Sequence, residues 1–174
     1  MSECRHNWSE MNWKGEDVCS RCGQTRQQAG SVEKIIKHEK TADEIRNSNL
    51  AHPVYGYIIR LIEKMAADIG VRVKVVFRNN STAYAWKSDL IVFGYWCAED
   101  MVKDGYSDGC KTTQWAYGDL WKKPGITGAH LLAIHEFAHI LQHPDGMRPK
   151  GVQYHDNYFA SIVKRLIRDY PVEG

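Results

Sequence analysis

After Pro53 the apolar residues Val54, Tyr57, Ile58, Leu61, Ile62, Met65 and Ile69 recur at three- and four-residue intervals, the spacing of one buried helix face. Gly70 follows directly and predicts the C-terminal cap, because a left-handed residue past the last turn is least costly for glycine. Val71 to Phe77 then alternates and is rich in β-branched residues, which predicts a strand. Asn79-Asn80 marks a turn, and Ser81–Trp86 and Leu90–Tyr95 predict two more strands joined through Lys87-Ser88-Asp89. Pro124-Gly125 opens a second helix, from about Ile126 to Gln142, apolar on most sides and so expected to be buried. Pro144, Gly146, Pro149 and Gly151 predict a loop. Beyond it Phe159, Ile162, Val163, Leu166, Ile167 and Tyr170 fall on one face of a final amphipathic helix. Residues 97–125 mix glycine, tyrosine, tryptophan and charge without a clear period, and a strand over Trp115–Trp121 is the expectation there.

The first fifty residues have a different texture. Residues 1–28 hold Cys4, His6, Cys19 and Cys22 and few apolar residues, and Gln24–Ser31 reads as polar linker. Residues 29–50 are charged with scattered isoleucines, and Thr41 with Glu44 predicts a capping box on a short helix. The expected organisation is a metal-stabilised module over 1–28, a linker with a short helix over 29–50, and one α+β domain over 51–174.

Composition narrows the classes. With 174 residues, 43% apolar and 25% charged, the chain is long enough for one core and a small appendage. A net charge of +2 gives no strongly basic surface, so nucleic-acid binding has little support, and the basic residues near the N-terminus are matched by Glu3, Glu10, Glu16 and Asp17. No apolar run reaches the ~18–20 residues of a membrane span, and the opening residues lack the apolar stretch of a secretory signal. Five cysteines, an odd number clustered early, argue against a disulfide scaffold and for a reducing, intracellular setting. Cys97 and Cys110 are expected to be small buried apolar residues.

The chemistry concentrates in His135-Glu136-Phe137-Ala138-His139. On a helix, residues four apart stand on one face, so both imidazoles can ligate one metal ion while Glu136 reaches the same place as a general base. A catalytic zinc site needs a third protein ligand and a position for water. The only later glutamate is Glu173, near the end of the sequence, and Asp145 lacks the glycine turn that would bring it back, because Gln142 stands there. His155, four residues before Phe159, is the better candidate and is expected on the buried face of the last helix. Asp156 is expected to favour that helix's N-terminus. The N-terminal set Cys4, His6, Cys19 and Cys22 has the ligand types and spacing of a closed structural zinc site, and Cys19-x-x-Cys22-Gly23 resembles the knuckle of a zinc ribbon.

Together, His135-Glu-Phe-Ala-His139 and His155-Asp-Asn-Tyr-Phe159 resemble the SprT-like zinc metallopeptidase family, in which H-E-x-x-H is followed by a loop and H-G-x-x-[FW] opening a helix. Asp156 stands where that family has glycine. The resemblance spans roughly residues 45–170 and is specific over the last forty. It implies a minimal zincin fold, helices on a small mixed or antiparallel sheet, with His135, His139 and His155 on zinc. Glu136 would be the general base toward metal-activated water. It also implies a protein or peptide substrate lying along a strand edge within residues 81–95. Tyr154, Tyr158 and His143 are candidate oxyanion donors. SprT-like proteins often carry a zinc ribbon after the peptidase domain, whereas here the ribbon-like segment comes first. The contrasting expectation is a non-catalytic protein- or DNA-binding module on the same scaffold.

Overall fold

The structure is a computed structural model that describes residues 10–11, 17–18, 41–106, 110–144 and 154–172. It divides into two compact units, 1–41 and 42–174. In the first, β1 (Glu10–Met11) and β2 (Asp17–Val18) pair antiparallel, with Glu10 opposite Val18. Cys4, His6, Cys19 and Cys22 lie outside the described residues, as do Asp145 and Glu173.

The second unit is α+β, with six helices and a three-stranded mixed sheet among the described residues. It begins with α1 (Ala42–Ala51), directly after Thr41, which packs on α2 (Pro53–Ile69) and is tied to it by the Arg46–Glu63 ion pair at 2.5 Å. This helix therefore belongs to the main unit, which starts before the expected boundary at 51. Proline at the first position of α2 gives up a donor that has no partner there in any case. Gly70 ends the helix at φ 80°, its N–H returning to the Ala66 carbonyl. Ile58, Ile62 and Met65 are fully buried, whereas Ile69, at the last turn, is exposed.

Strands β3 (Lys74–Arg78), β4 (Ala83–Trp86) and β5 (Leu90–Gly94) form a sheet in the order β3-β5-β4. β3 runs parallel to β5, and β4 antiparallel to it, so β4 is an edge strand. Phe77, Ile91 and Phe93 face the core, joined by the smaller Ala83 and Ala85 of β4.

The elements formed within residues 95–122 are all helical: α3 (Tyr95–Asp104), α4 (Lys111–Tyr117) and a 3-10 turn (Gly118–Lys122). The strand expected over Trp115–Trp121 does not form. Thr113, Ala116 and Tyr117 turn one side of α4 inward while Trp115 stays exposed. That three- to four-residue spacing is too short a run to stand out against the surrounding glycines and charges.

The centre of the unit is α5 (Ile126–Gln142), which packs against α2, α3, β4 and α6 (Asn157–Asp169). Its side chains from Gly128 to Ala138 are all buried. Gly128 permits this enclosure, since a Cβ there would lie 1.8 Å from the Met101 carbonyl oxygen of α3. α6 presents Phe159, Ile162, Val163 and Leu166 to the core and Lys164, Arg165 and Arg168 to solvent, as its pattern predicts. Cys97 is buried and Cys110 half-buried, and neither forms a disulfide. No helix among the described residues is long and apolar enough to cross a membrane.

Candidate metal centre

Residues His135 and His139 stand one turn apart on α5, so their rings share a face by helical geometry alone. His155 comes from the turn before α6. It precedes the helix rather than riding on its buried face, because Asp156 is the N-cap and accepts the Phe159 N–H at 2.7 Å. This cap sets where α6 starts, and the residue before it is left free to reach α5. His155 Nε2 lies 3.1 Å from His135 Nε2 and 3.3 Å from His139 Nε2. Among the described residues these three form the group able to hold a metal ion, with ligand atoms within 4.8 Å of one another. Tetrahedral zinc with bonds of ~2.0–2.1 Å separates its ligand nitrogens by about 3.3 Å, so the two measured spacings suit it. Phe159, fully buried, lies beneath all three rings, stacked on His139 at 4.4 Å between centroids.

Outer partners orient the ligands. The Tyr117 hydroxyl is 3.0 Å from His135 Nδ1. Gln142 Oε1 is 3.3 Å from His139 Nδ1, while Gln142 Nε2 donates to Asp156 Oδ1 at 3.2 Å. An ionised carboxylate only accepts, so Asp156 obliges Gln142 to turn its NH2 that way and its carbonyl toward His139. A carbonyl there selects the Nδ1–H tautomer of His139 and leaves the Nε2 lone pair for a cation. Sequence reasoning missed Tyr117 and Gln142. Tyr117 sits in the segment without periodicity, and Gln142 registered only as the absence of a glycine.

Burial holds His135 and His139 in their neutral form. The His135 pKa is pushed well below the usual imidazole range by desolvation and then by its histidine neighbours. His139 is brought down to about 4, again mainly by burial. A metal must displace any proton on a ligand nitrogen, so neutral imidazoles favour its binding at neutral pH.

Compared with protein-family models, curated proteins and solved structures, the chain matches none. The site must speak for itself.

The opposite wall of the site is strand β4. Gly94 donates to the Thr82 carbonyl at 2.7 Å, and Ala83 faces Phe93. Antiparallel alternation then gives Tyr84 and Trp86 the bonds to β5 and directs the N–H and C=O of Ala83 and Ala85 to the free edge. The Ala85 N–H meets the Glu136 carboxylate there. Glu136 is buried, its pKa raised to about 8 by desolvation against the pull of that N–H, and its Oε2 has no hydrogen-bond partner among the described residues. A cation on the adjacent histidines would favour the charged form of this carboxyl. An orphaned buried carboxylate oxygen beside three convergent imidazole nitrogens is the arrangement a hydrolytic metal site requires.

A cleft of about 1050 Å³ opens over these groups, lined by β4, the three histidines, Glu136, His143 and Tyr154. Of the three candidate oxyanion donors, His143 and Tyr154 line it, whereas Tyr158 is not part of its lining and is exposed.

Proposed function

We propose that the chain is a zinc-dependent metallopeptidase of the SprT-like, zincin type, with His135, His139 and His155 as the metal ligands and Glu136 as the general base. The single observation that carries this reading is the meeting of the three Nε2 atoms with the buried Glu136 carboxylate beside the free edge of β4. Three imidazole nitrogens suit zinc, which when bound supplies Lewis acidity that acidifies water and polarises a carbonyl oxygen.

Each remaining role belongs to the protein. The edge of β4 offers the Ala83 N–H and C=O and the Ala85 C=O to an extended peptide, fixing its backbone as an added strand. Glu136 accepts the proton of the attacking water and passes it to the leaving amine. The Ala85 N–H holds the carboxylate toward the bond to be cut. Tyr154 or His143 supplies a donor to the developing oxyanion. For the N-terminal unit we propose a structural zinc held by Cys4, His6, Cys19 and Cys22. Supporting this are the ligand types and the β1–β2 pairing, which lies in sequence between the two half-sites.

The test is metal content together with hydrolysis of a mixed peptide library. The full chain should bind two zinc ions and cut peptides, and Glu136→Gln should keep both ions while turnover drops about 10²–10⁴-fold. Undiminished cleavage in that variant would overturn the mechanism. Tight peptide binding without cleavage by the wild-type protein would instead favour a binding module on this scaffold.

A further inference from the structure

We infer that the cleft selects extended acidic peptide segments, with Arg78 and Lys87 each holding a carboxylate on opposite sides of the bond presented to Glu136. This rests on the peptidase reading and names its substrate class.

The first observation is the charge of the lining. Arg78 and Lys87 are exposed cations at the cleft, and among the described residues its one carboxylate is Glu136, which is buried and committed to the chemistry. Neither cation has an ion-pair partner among the described residues; the pairs there join Arg46 to Glu63, Lys64 to Asp68 and Arg168 to Asp169. An anionic segment therefore meets two uncompensated positive charges and displaces no existing salt bridge.

Their placement is the second. Arg78 ends β3 opposite Gly94, whose N–H bonds Thr82, so it stands level with the start of β4 across the intervening β5, and it lines the cleft. Lys87 directly follows Trp86 at the other end of the same strand. The two cations thus stand at the two ends of the β4 wall of the cleft, about five residues or ~17 Å apart along the strand direction at the antiparallel rise. Ala85, at Glu136, lies two residues from Lys87 and three from Thr82. Carboxylates two to three residues on either side of the bond to be cut are the ones within reach.

The third observation is the backbone at Lys87. Its φ of 56° is the sole positive value on a non-glycine among the described residues. Glycine or asparagine adopts that conformation more readily, so a cation is set at the rim of the cleft against the backbone's preference. Between the cations, Tyr84 and Trp86 give apolar contact for the intervening residues, and Trp86 is exposed. The unpaired amide groups of the β4 edge match a peptide backbone, which favours a peptide over a nucleic acid as the polyanion.

The experiment uses the zinc-loaded full chain and two pools of fluorogenic decapeptides, identical except for Glu or Lys at the third residue on each side of a mixed centre. The Glu pool should be cut with a kcat/KM about tenfold higher, the size expected for two exposed charge pairs. The ratio should shrink toward one in 1 M NaCl. Arg78→Glu combined with Lys87→Glu should invert it. A ratio within twofold of one, or one that charge reversal does not move, overturns the inference. So does an oligo(dT) strand whose binding depends on Arg78 and Lys87 when neither pool competes with it. Anisotropy of the same pools on Glu136→Gln reads the preference without turnover. If it persists there while the wild-type protein cuts nothing, the peptidase reading fails and the acidic selectivity stands.

Discussion

The two walls of the cleft are built on different principles. On the helical side, His135, His139 and Glu136 come from a buried helix, and His155 is fixed by a capped turn. Ring nitrogens there have assigned partners in Tyr117 and Gln142. On the strand side, β4 is an edge whose outer backbone groups, apart from the Ala85 N–H at Glu136, have no partner strand, and Trp86, Lys87 and the Arg78 of β3 are exposed. One wall holds atoms to within the tolerance of a coordination sphere, and the other leaves groups free to pair with an incoming chain. Chemistry calls for the first kind of order and recognition for the second.

Substitutions can break this contrast, beginning with the largest effect. Replacing His155 with Ala removes one of the three proposed ligands, so zinc affinity at this site should fall by more than the about 10–100-fold lost with an outer partner. Chelator competition would measure it, and because His155 lies before the helix the fold should survive. Retained affinity would return the third-ligand question to residues outside those described.

Phe159→Ala attacks the floor under all three rings. Truncating a fully buried phenylalanine costs about 3–5 kcal/mol, read by denaturant unfolding. The loss of metal affinity should accompany it, since the rings lose their common support.

His130 offers a pH-dependent test away from the site. It is buried on α5, 2.7 Å from the Tyr57 hydroxyl, and burial brings its pKa to about 4. The unfolded chain takes up its proton near pH 6.5 and the folded chain only near 4, so this residue's contribution to stability is lost as pH falls through that window. The loss should approach about 3 kcal/mol by pH 4. Comparing wild type with His130→Gln across pH 4–7 isolates it, and parallel profiles would refute it.

Smaller effects sharpen the two walls separately. Gln142→Leu removes the carbonyl that faces His139 Nδ1 while leaving Asp156 as the N-cap of α6. Zinc affinity should weaken about tenfold with little change in thermal stability, whereas Asp156→Asn, whose Oδ1 can still accept both the Phe159 N–H and the Gln142 NH2, should change neither. On the strand wall, Lys87→Gly relaxes the left-handed backbone, so stability should hold or rise by about 0.5 kcal/mol while acidic preference declines.

Much of this was legible along the chain. The helix over 126–142, the last helix, the Gly70 cap and the short strands all follow from periodicity and turn residues. So does the ligand pair, because four-residue spacing on a helix fixes a shared face without reference to anything else. The helices over 95–122 were not legible, since each buries only a few side chains and derives its stability from packing on α5 and α6.

What the sequence alone determined, then, was local: two imidazoles and a carboxylate on one helical face, and a histidine next to the start of another helix. Tertiary structure decided the rest. It brought His155 to within 3.1 Å of His135 and supplied Tyr117 and the Gln142–Asp156 pair as outer partners. It also laid the Ala85 N–H against Glu136, far away in sequence. The reason is physical: helical spacing is set by backbone geometry within a few residues. The meeting of a strand edge, a capped turn and a buried helix depends on how whole faces pack, which no local period encodes.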